Sequence, residues 1–91
     1  MSDYEDELQE RFEKAAKHAQ KFVNADNDTL LDMYSHYKQA TVGNCDISSP
    51  GFWDIKGKAK YNAWKKLEGM SNDKAKKKYI KIVKKLEKSE K

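Results

Sequence analysis

A single cysteine, Cys45, cannot close an internal disulfide, so no covalent staple supports this chain. No apolar signal-peptide core opens the sequence. Both absences predict a reducing, cytoplasmic setting. No uncharged apolar run approaches the roughly 20 residues that span a bilayer, which predicts a soluble protein. Proline occurs once and glycine four times, and three of those glycines share residues 43–57 with the proline. Outside that stretch little interrupts helices. No alternating strand pattern and no internal repeat is present. With 91 residues, of which 37% are hydrophobic, the core must be small. A chain of this size buries only roughly 60–65% of its unfolded surface. Residues 1–91 therefore read as one domain of packed amphipathic helices.

Charge of one sign is scarce in each half. Residues 1–32 hold nine Asp/Glu against four Lys/Arg, a balance of −5; residues 33–91 hold six against fifteen, a balance of +9. The net +4 hides this asymmetry. A basic half suits an anionic partner, whether nucleic acid, phosphorylated small molecule or membrane surface. It equally suits a lysine-rich face kept for solubility.

Four helices follow from periodicity. In the first, Leu8, Phe12, Ala15, Ala16, Ala19 and Val23 hold 3.6-residue spacing, with acidic residues crowding the first turns. The run NADND breaks it. The second spans about 27–42, with Leu30, Tyr34, Tyr37 and Thr41 on one stripe and Gly43 as a stop. GNCDISSPGFWDIKG then reads as a loop, long enough to suggest function. The third helix spans about 57–67, with Ala59, Ala63, Trp64 and Leu67. Ser71 is a fitting N-cap for the fourth, which carries Ala75, Tyr79, Ile82, Val83 and Leu86. The stretch EKSEK reads as a fraying end. The fold class is all-α, a four-helix bundle with a long loop between its second and third helices.

Catalytic chemistry finds no footing. Cys45 sits among Asp and Ser residues that would not favour a thiolate. His18 falls among lysines, and His36 points off the inward stripe. Two histidines and one cysteine at these spacings make no zinc site. The glycines match neither a P-loop nor a dinucleotide fingerprint. The chain is expected to be no enzyme, with no metal and no catalytic residue.

A different constellation stands out in YSHYKQATVG. Tyr34 and Lys38 are four apart and Tyr34 and Tyr37 three apart, so all three share a helix face. Lys56 and Lys60, four apart, open the third helix; Lys58 should face solvent. Tyr79 adds a phenol on the fourth. Ammonium and phenol groups suit phosphate, and a tyrosine ring can stack on a planar base. These tyrosines can equally be core rings with hydroxyls at the rim, Lys38 snorkelling along them. Phe52 and Trp53 either pin the loop to the core or shield something apolar. Spacing leaves both choices open.

YSHYKQATVGN, SPGFWDIKGKAKYNAW, FEKAA and GMSNDKAKKKYIKIV together resemble the small acyl-CoA-binding proteins over nearly the whole chain. The resemblance implies a single acyl-CoA-binding domain that holds medium- to long-chain acyl-CoA esters non-covalently and buffers and transports them. It implies no cofactor beyond that ligand. Lys38 and Lys60, with tyrosine help, would hold the 3′-phosphate; Tyr37 would face the adenine; Lys56 would serve the CoA phosphates or the thioester end. Tyr79 matches the family's tyrosine on the fourth helix. The acyl chain would lie between the first two helices and the loop. Donors and acceptors would be acyl-CoA-using enzymes or membranes, and a monomer suffices.

Departures from the family pattern are specific. Gln20 stands where a basic residue is common, with Lys21 beside it. The segment between the first two helices is one residue short. Phe52–Trp53 replaces smaller apolar residues, and Tyr61 replaces a tryptophan. The basic run from Tyr61 onward also reads as half of an HMG-box-like DNA-binding module. Against that alternative, the chain opens acidic and places tyrosines where no DNA wedge belongs, so no nucleic acid is expected.

Overall fold

The computed structural model describes residues 3–89 as four helices: α1 (Asp3–Ala19), α2 (Asn27–Thr41), α3 (Ile55–Lys65) and α4 (Asn72–Ser89). No strand occurs among the described residues. The all-α expectation is met, and none of these helices is long and apolar enough to cross a membrane.

α1 starts on the acidic turn of Asp3, Glu5 and Asp6, which complements the positive end of the helix dipole, and it buries Leu8, Phe12 and Ala15. Its apolar stripe does not continue to Val23, as spacing predicts. The helix stops at Ala19; Val23 is 72% exposed while Phe22 is only 5% exposed. The cause is local. The N–H groups of Gln20, Lys21 and Phe22 donate to the carbonyls of Lys17, His18 and Ala19, three residues back. Such tight turns advance the phase of the chain, and Phe22 swings inward in place of Val23.

Asp26 caps α2, its Oδ1 accepting the Thr29 N–H at 2.8 Å; hydrogen bonding from the Thr29 side chain first, and from its N–H second, holds the carboxyl below its ordinary value. The inward face of α2 also differs from expectation. Met33, Ser35, Gln39 and Ala40 are buried, whereas Tyr37 is 40% exposed, Thr41 is exposed, and Leu30 and Tyr34 are half-buried. α2 packs against both α4 and α3, so its buried surface is wide and rotated from a single stripe. Phenols keep their polar tips at the rim of such a surface.

α3 begins two residues earlier than predicted because Asp54 Oδ1 accepts the Gly57 N–H at 3.0 Å and caps it. Ser71 performs its expected role: its Oγ accepts the Lys74 N–H at 3.1 Å. α4 buries Ala75, Tyr79 and Val83, spaced four apart. The stretch read as fraying is helical through Ser89; Glu90 and Lys91 lie outside the described residues.

α4 packs on α1 and on α2, and α2 also packs on α3; no other pair of helices packs backbone to backbone. The four therefore stand in the order α1, α4, α2, α3, a layer with extents of 44 × 36 × 15 Å. The bundle is open. α4 thus lies between α1 and α2 and packs on both.

Amide side chains lock one end of this layer. Gln39, fully buried, donates from Nε2 to Asn44 Oδ1 at 3.0 Å and to the Met70 carbonyl at 2.9 Å. Asn44 Oδ1 also accepts the Gly69 N–H at 2.8 Å. Asn72 Nδ2 donates to the carbonyls of Gln39 and Ala40, at 2.9 and 3.1 Å, which α2's last turn would otherwise leave unpaired. Gly43 and Gly69, with φ of 102° and 93°, supply left-handed turns on either side of this knot. Gln39→Ala removes both donated bonds and opens a void, so it should cost about 2–3 kcal/mol of unfolding free energy in urea denaturation. A loss under about 0.5 kcal/mol would show that the knot contributes little.

Candidate ligand-binding site

Three helices bring one aromatic ring each into a single cluster. Phe12 of α1 stacks on Tyr37 of α2 with centroids 5.6 Å apart and planes at 25°. Tyr79 of α4 meets Phe12 edge-on at 5.3 Å and Tyr37 at 5.7 Å. The backbones of α1 and α2 do not pack on each other, so Phe12 and Tyr37 make a side-chain contact between helices that α4 separates. Tyr79 is 5% exposed, and burial, with the neighbouring Tyr37 phenol second, raises its pKa above the ordinary 10.0.

Beside the rings stand two ammonium groups held on aromatic faces. Lys60 Nζ lies 5.3 Å from the centroid of Tyr34, and Lys38 Nζ lies 5.1 Å from that of Trp64. The rings attract cations through their quadrupole. Among the described residues neither lysine enters a salt bridge; the ion pairs are Arg11–Glu7, His18–Glu87 and Lys65–Glu68. One of these cations lies on the half-buried Tyr34 and the other on Trp64, and ammonium groups free of carboxylate partners suit an anion with several charged oxygens.

The structure thus places Tyr37 with Tyr79, Tyr34 with Lys60, and Lys38 with Trp64, three contacts that share α2. Lys56 is exposed at the start of α3, one turn before Lys60 and outside the ring contacts; Lys58, expected in solvent, is half-buried. Gln20 and Lys21 stand apart. Both are exposed in the turn after α1, and Lys21 lines a 190 Å³ cleft with Phe22, Leu86 and Ser89. Leu86 lies seven residues beyond Tyr79, about 10 Å along the helix. The 370 Å³ cleft between α1 and α4, lined by Tyr4, Leu8, Arg11 and Ile80 among others, contains none of the expected site residues.

Sequence reading missed two members. Trp64, 1% exposed, was assigned to the core, yet its ring carries Lys38 and its Nε1–H donates to the Gly43 carbonyl at 2.8 Å. A buried indole always needs such a partner, which was the available signal. Phe12 had the right burial, but its stacking on Tyr37 depends on tertiary structure. The expectation for Phe52 and Trp53 is corrected more sharply: at 84% and 76% exposure neither pins the loop to the core. They stack on each other instead, edge to face at 5.4 Å.

Cys45 is a free, half-buried thiol, and no group of three or more His, Cys, Asp or Glu among the described residues is placed to hold a metal ion.

Comparison with known proteins gives consistent results. The family model described as acyl CoA binding protein matches residues 9–83. The acyl-CoA-binding domain-containing protein 6 of Xenopus laevis is 48% identical over 84 residues, covering 91% of this chain. This chain spans only 29% of the length of that relative. The acyl-CoA-binding protein of Dictyostelium discoideum is 45% identical over 76 residues, covering 82% of this chain and 90% of its own. Among solved structures, acyl-CoA-binding protein 2 of Oryza sativa superposes with a TM-score of 0.85 at 40% identity, covering 91% of this chain and 94% of that one.

The raised Tyr79 pKa has a measurable sign. A phenol whose folded pKa exceeds its unfolded value contributes stability that is complete below about pH 10 and lost as pH rises through the folded value. Tyr79→Phe should therefore flatten the alkaline fall in stability above pH 10 and remove a phenol that titrates above its ordinary value from the ultraviolet difference spectrum. An unchanged alkaline profile would refute this.

Proposed function

This chain belongs to the acyl-CoA-binding protein family, and we propose that it binds medium- to long-chain acyl-CoA esters non-covalently and acts as their carrier and buffer, without catalysing a reaction on them. The single observation that supports this most is the pair of cation–ring contacts, Lys60 on Tyr34 and Lys38 on Trp64, beside the Phe12–Tyr37–Tyr79 cluster. A nucleotide headgroup needs both kinds of partner. Lys38 and Lys60 approach its phosphate from α2 and α3, and the Tyr34 and Tyr37 hydroxyls add donors. Tyr37, stacked on Phe12 and 40% exposed, offers a ring to the adenine. Lys56, at the exposed start of α3, serves the remaining CoA phosphates. The scheme places the acyl chain in a groove on the α1 and α2 side of the layer, near the small side chains of Ala15, Ala16 and Ala19. Gln20 and Lys21 stay outside this scheme.

Magnitudes are consistent with the scheme. Burying about ten methylenes is worth roughly 8 kcal/mol, and each charged phosphate contact roughly 1.5–3 kcal/mol, against several kcal/mol lost on association. The balance corresponds to sub-micromolar affinity. Neither the headgroup nor the chain reaches this alone. The reported matches are to acyl-CoA-binding proteins, and no observation favours the DNA-binding alternative.

The test is isothermal titration of the delipidated chain with palmitoyl-CoA below its micelle concentration, with free CoA and palmitate as controls. One-to-one binding of the ester, far tighter than either control, is expected. Lys38→Ala should weaken it roughly 10- to 100-fold with an unchanged far-ultraviolet spectrum. Equal affinity for palmitate, or an undiminished Lys38→Ala variant, would reject the assignment.

A further inference from the structure

Among the described residues the most exposed large apolar side chains cluster in sequence where α3 begins: Phe52 at 84%, Ile55 at 79% and Trp53 at 76%. Ile47, earlier in the same loop, is 49% exposed. The Asp54 N–H donates to the Gly51 carbonyl at 3.0 Å, so Phe52 and Trp53 occupy the two corners of a tight turn. Their rings meet edge to face, and the Trp53 ring folds back over Gly51 so closely that a Cβ at that position would collide with it. Glycine there is what lets the ring lie on its own turn. The result is a convex aromatic knuckle that the core does not cover.

Clustered exposed apolar side chains mark an interaction site, and their setting identifies the partner. A convex tip needs a surface that yields around it, which a lipid interface does. Tryptophan and phenylalanine are the residues that favour the boundary between headgroups and acyl chains. Lys56, Lys58 and Lys60 follow within the first two turns of α3, whose first turn holds no acidic residue. Two carboxylates share the segment, Asp46 and Asp54, and Asp54 is turned onto the Gly57 N–H. Lys56 and Lys60, both exposed and four apart on one face, complement anionic lipid headgroups, whereas the half-buried Lys58 lies on the other side of the helix.

We infer that the Phe52–Trp53 knuckle, with Ile55, Lys56 and Lys60 behind it, docks this chain on an anionic lipid bilayer. The docking holds whatever the groove binds. Its consequence for loading rests on the acyl-CoA reading. Lys60, over Tyr34, lies five residues past Ile55, about 7.5 Å along the helix. A docked knuckle keeps the headgroup cluster close to the surface into which an amphiphilic ester partitions.

Co-sedimentation of the full chain with vesicles of mixed phosphatidylserine and phosphatidylcholine tests this, together with the emission of Trp53 against the constant background of the buried Trp64. Binding with a blue shift is expected, several-fold weaker on phosphatidylcholine alone and weakened by salt. The double variant Phe52→Ser/Trp53→Ser should keep its melting temperature and lose roughly tenfold or more in vesicle affinity. Wild-type protein that stays in the supernatant, or a double variant that sediments equally, overturns the inference. So does a concentration-dependent dimer that the double variant abolishes, which would assign the knuckle to a second copy. Palmitoyl-CoA titration without vesicles reads the groove separately: vesicle binding with no titration heat sinks the carrier assignment alone, and the converse sinks the docking alone.

Discussion

The arrangement depends on one buried amide. Gln39 is fully enclosed, and its side chain ties the end of α2 to Asn44 at the start of the long loop and to Met70 before α4. Asn72 returns the interaction to the α2 backbone. In so thin a layer, apolar contact alone would let helices slide, since hydrophobic attraction has no preferred direction. Hydrogen bonds do. With the end of α2 fixed, Lys38 one residue earlier falls over Trp64, Tyr34 a turn earlier meets Lys60, and Tyr37 meets Tyr79. The knot serves as the reference point for the candidate site.

Helix number, order and type were legible in the sequence because each helix carries several apolar residues at its own period. Phe12, Ala15, Ala75, Tyr79 and Val83 were correctly placed in the core by that signal. Caps were legible where a side chain acts on its own backbone, as at Ser71. The exchange of Val23 for Phe22 was not, because three shortened backbone bonds change the phase without changing composition. The rotation of α2 was hidden for another reason. A helix with two packing partners buries two overlapping stripes, and a single-stripe reading assigns the rim to the interior.

The candidate site was partly legible. Tyr34, Tyr37 and Lys38 share a face on helical spacing alone, Lys60 and Tyr79 were singled out beside them, and resemblance to a family gave these residues their expected ligand roles. That Lys60 reaches Tyr34 and Lys56 does not is decided by how α3 lies against α2, which no local pattern encodes. The side-chain amides of Gln39, Asn44 and Asn72 went unread, since residues of this kind favour caps, turns and solvent as readily as a buried network. Likewise the exposure of Phe52 and Trp53 runs against the usual inference from apolar composition, under which such rings either pin a loop to the core or shield something apolar.

The order of helices in the layer has a consequence for biosynthesis. α4 is the neighbour of both α1 and α2, and it is the last helix to be translated. Until it is made, the α2–α3 packing and the Phe12–Tyr37 stack can form, but α1 lacks the helix on which its backbone packs. The acidic charge of the first 32 residues keeps that segment hydrated meanwhile, and the layer is complete only when α4 takes its place between α1 and α2.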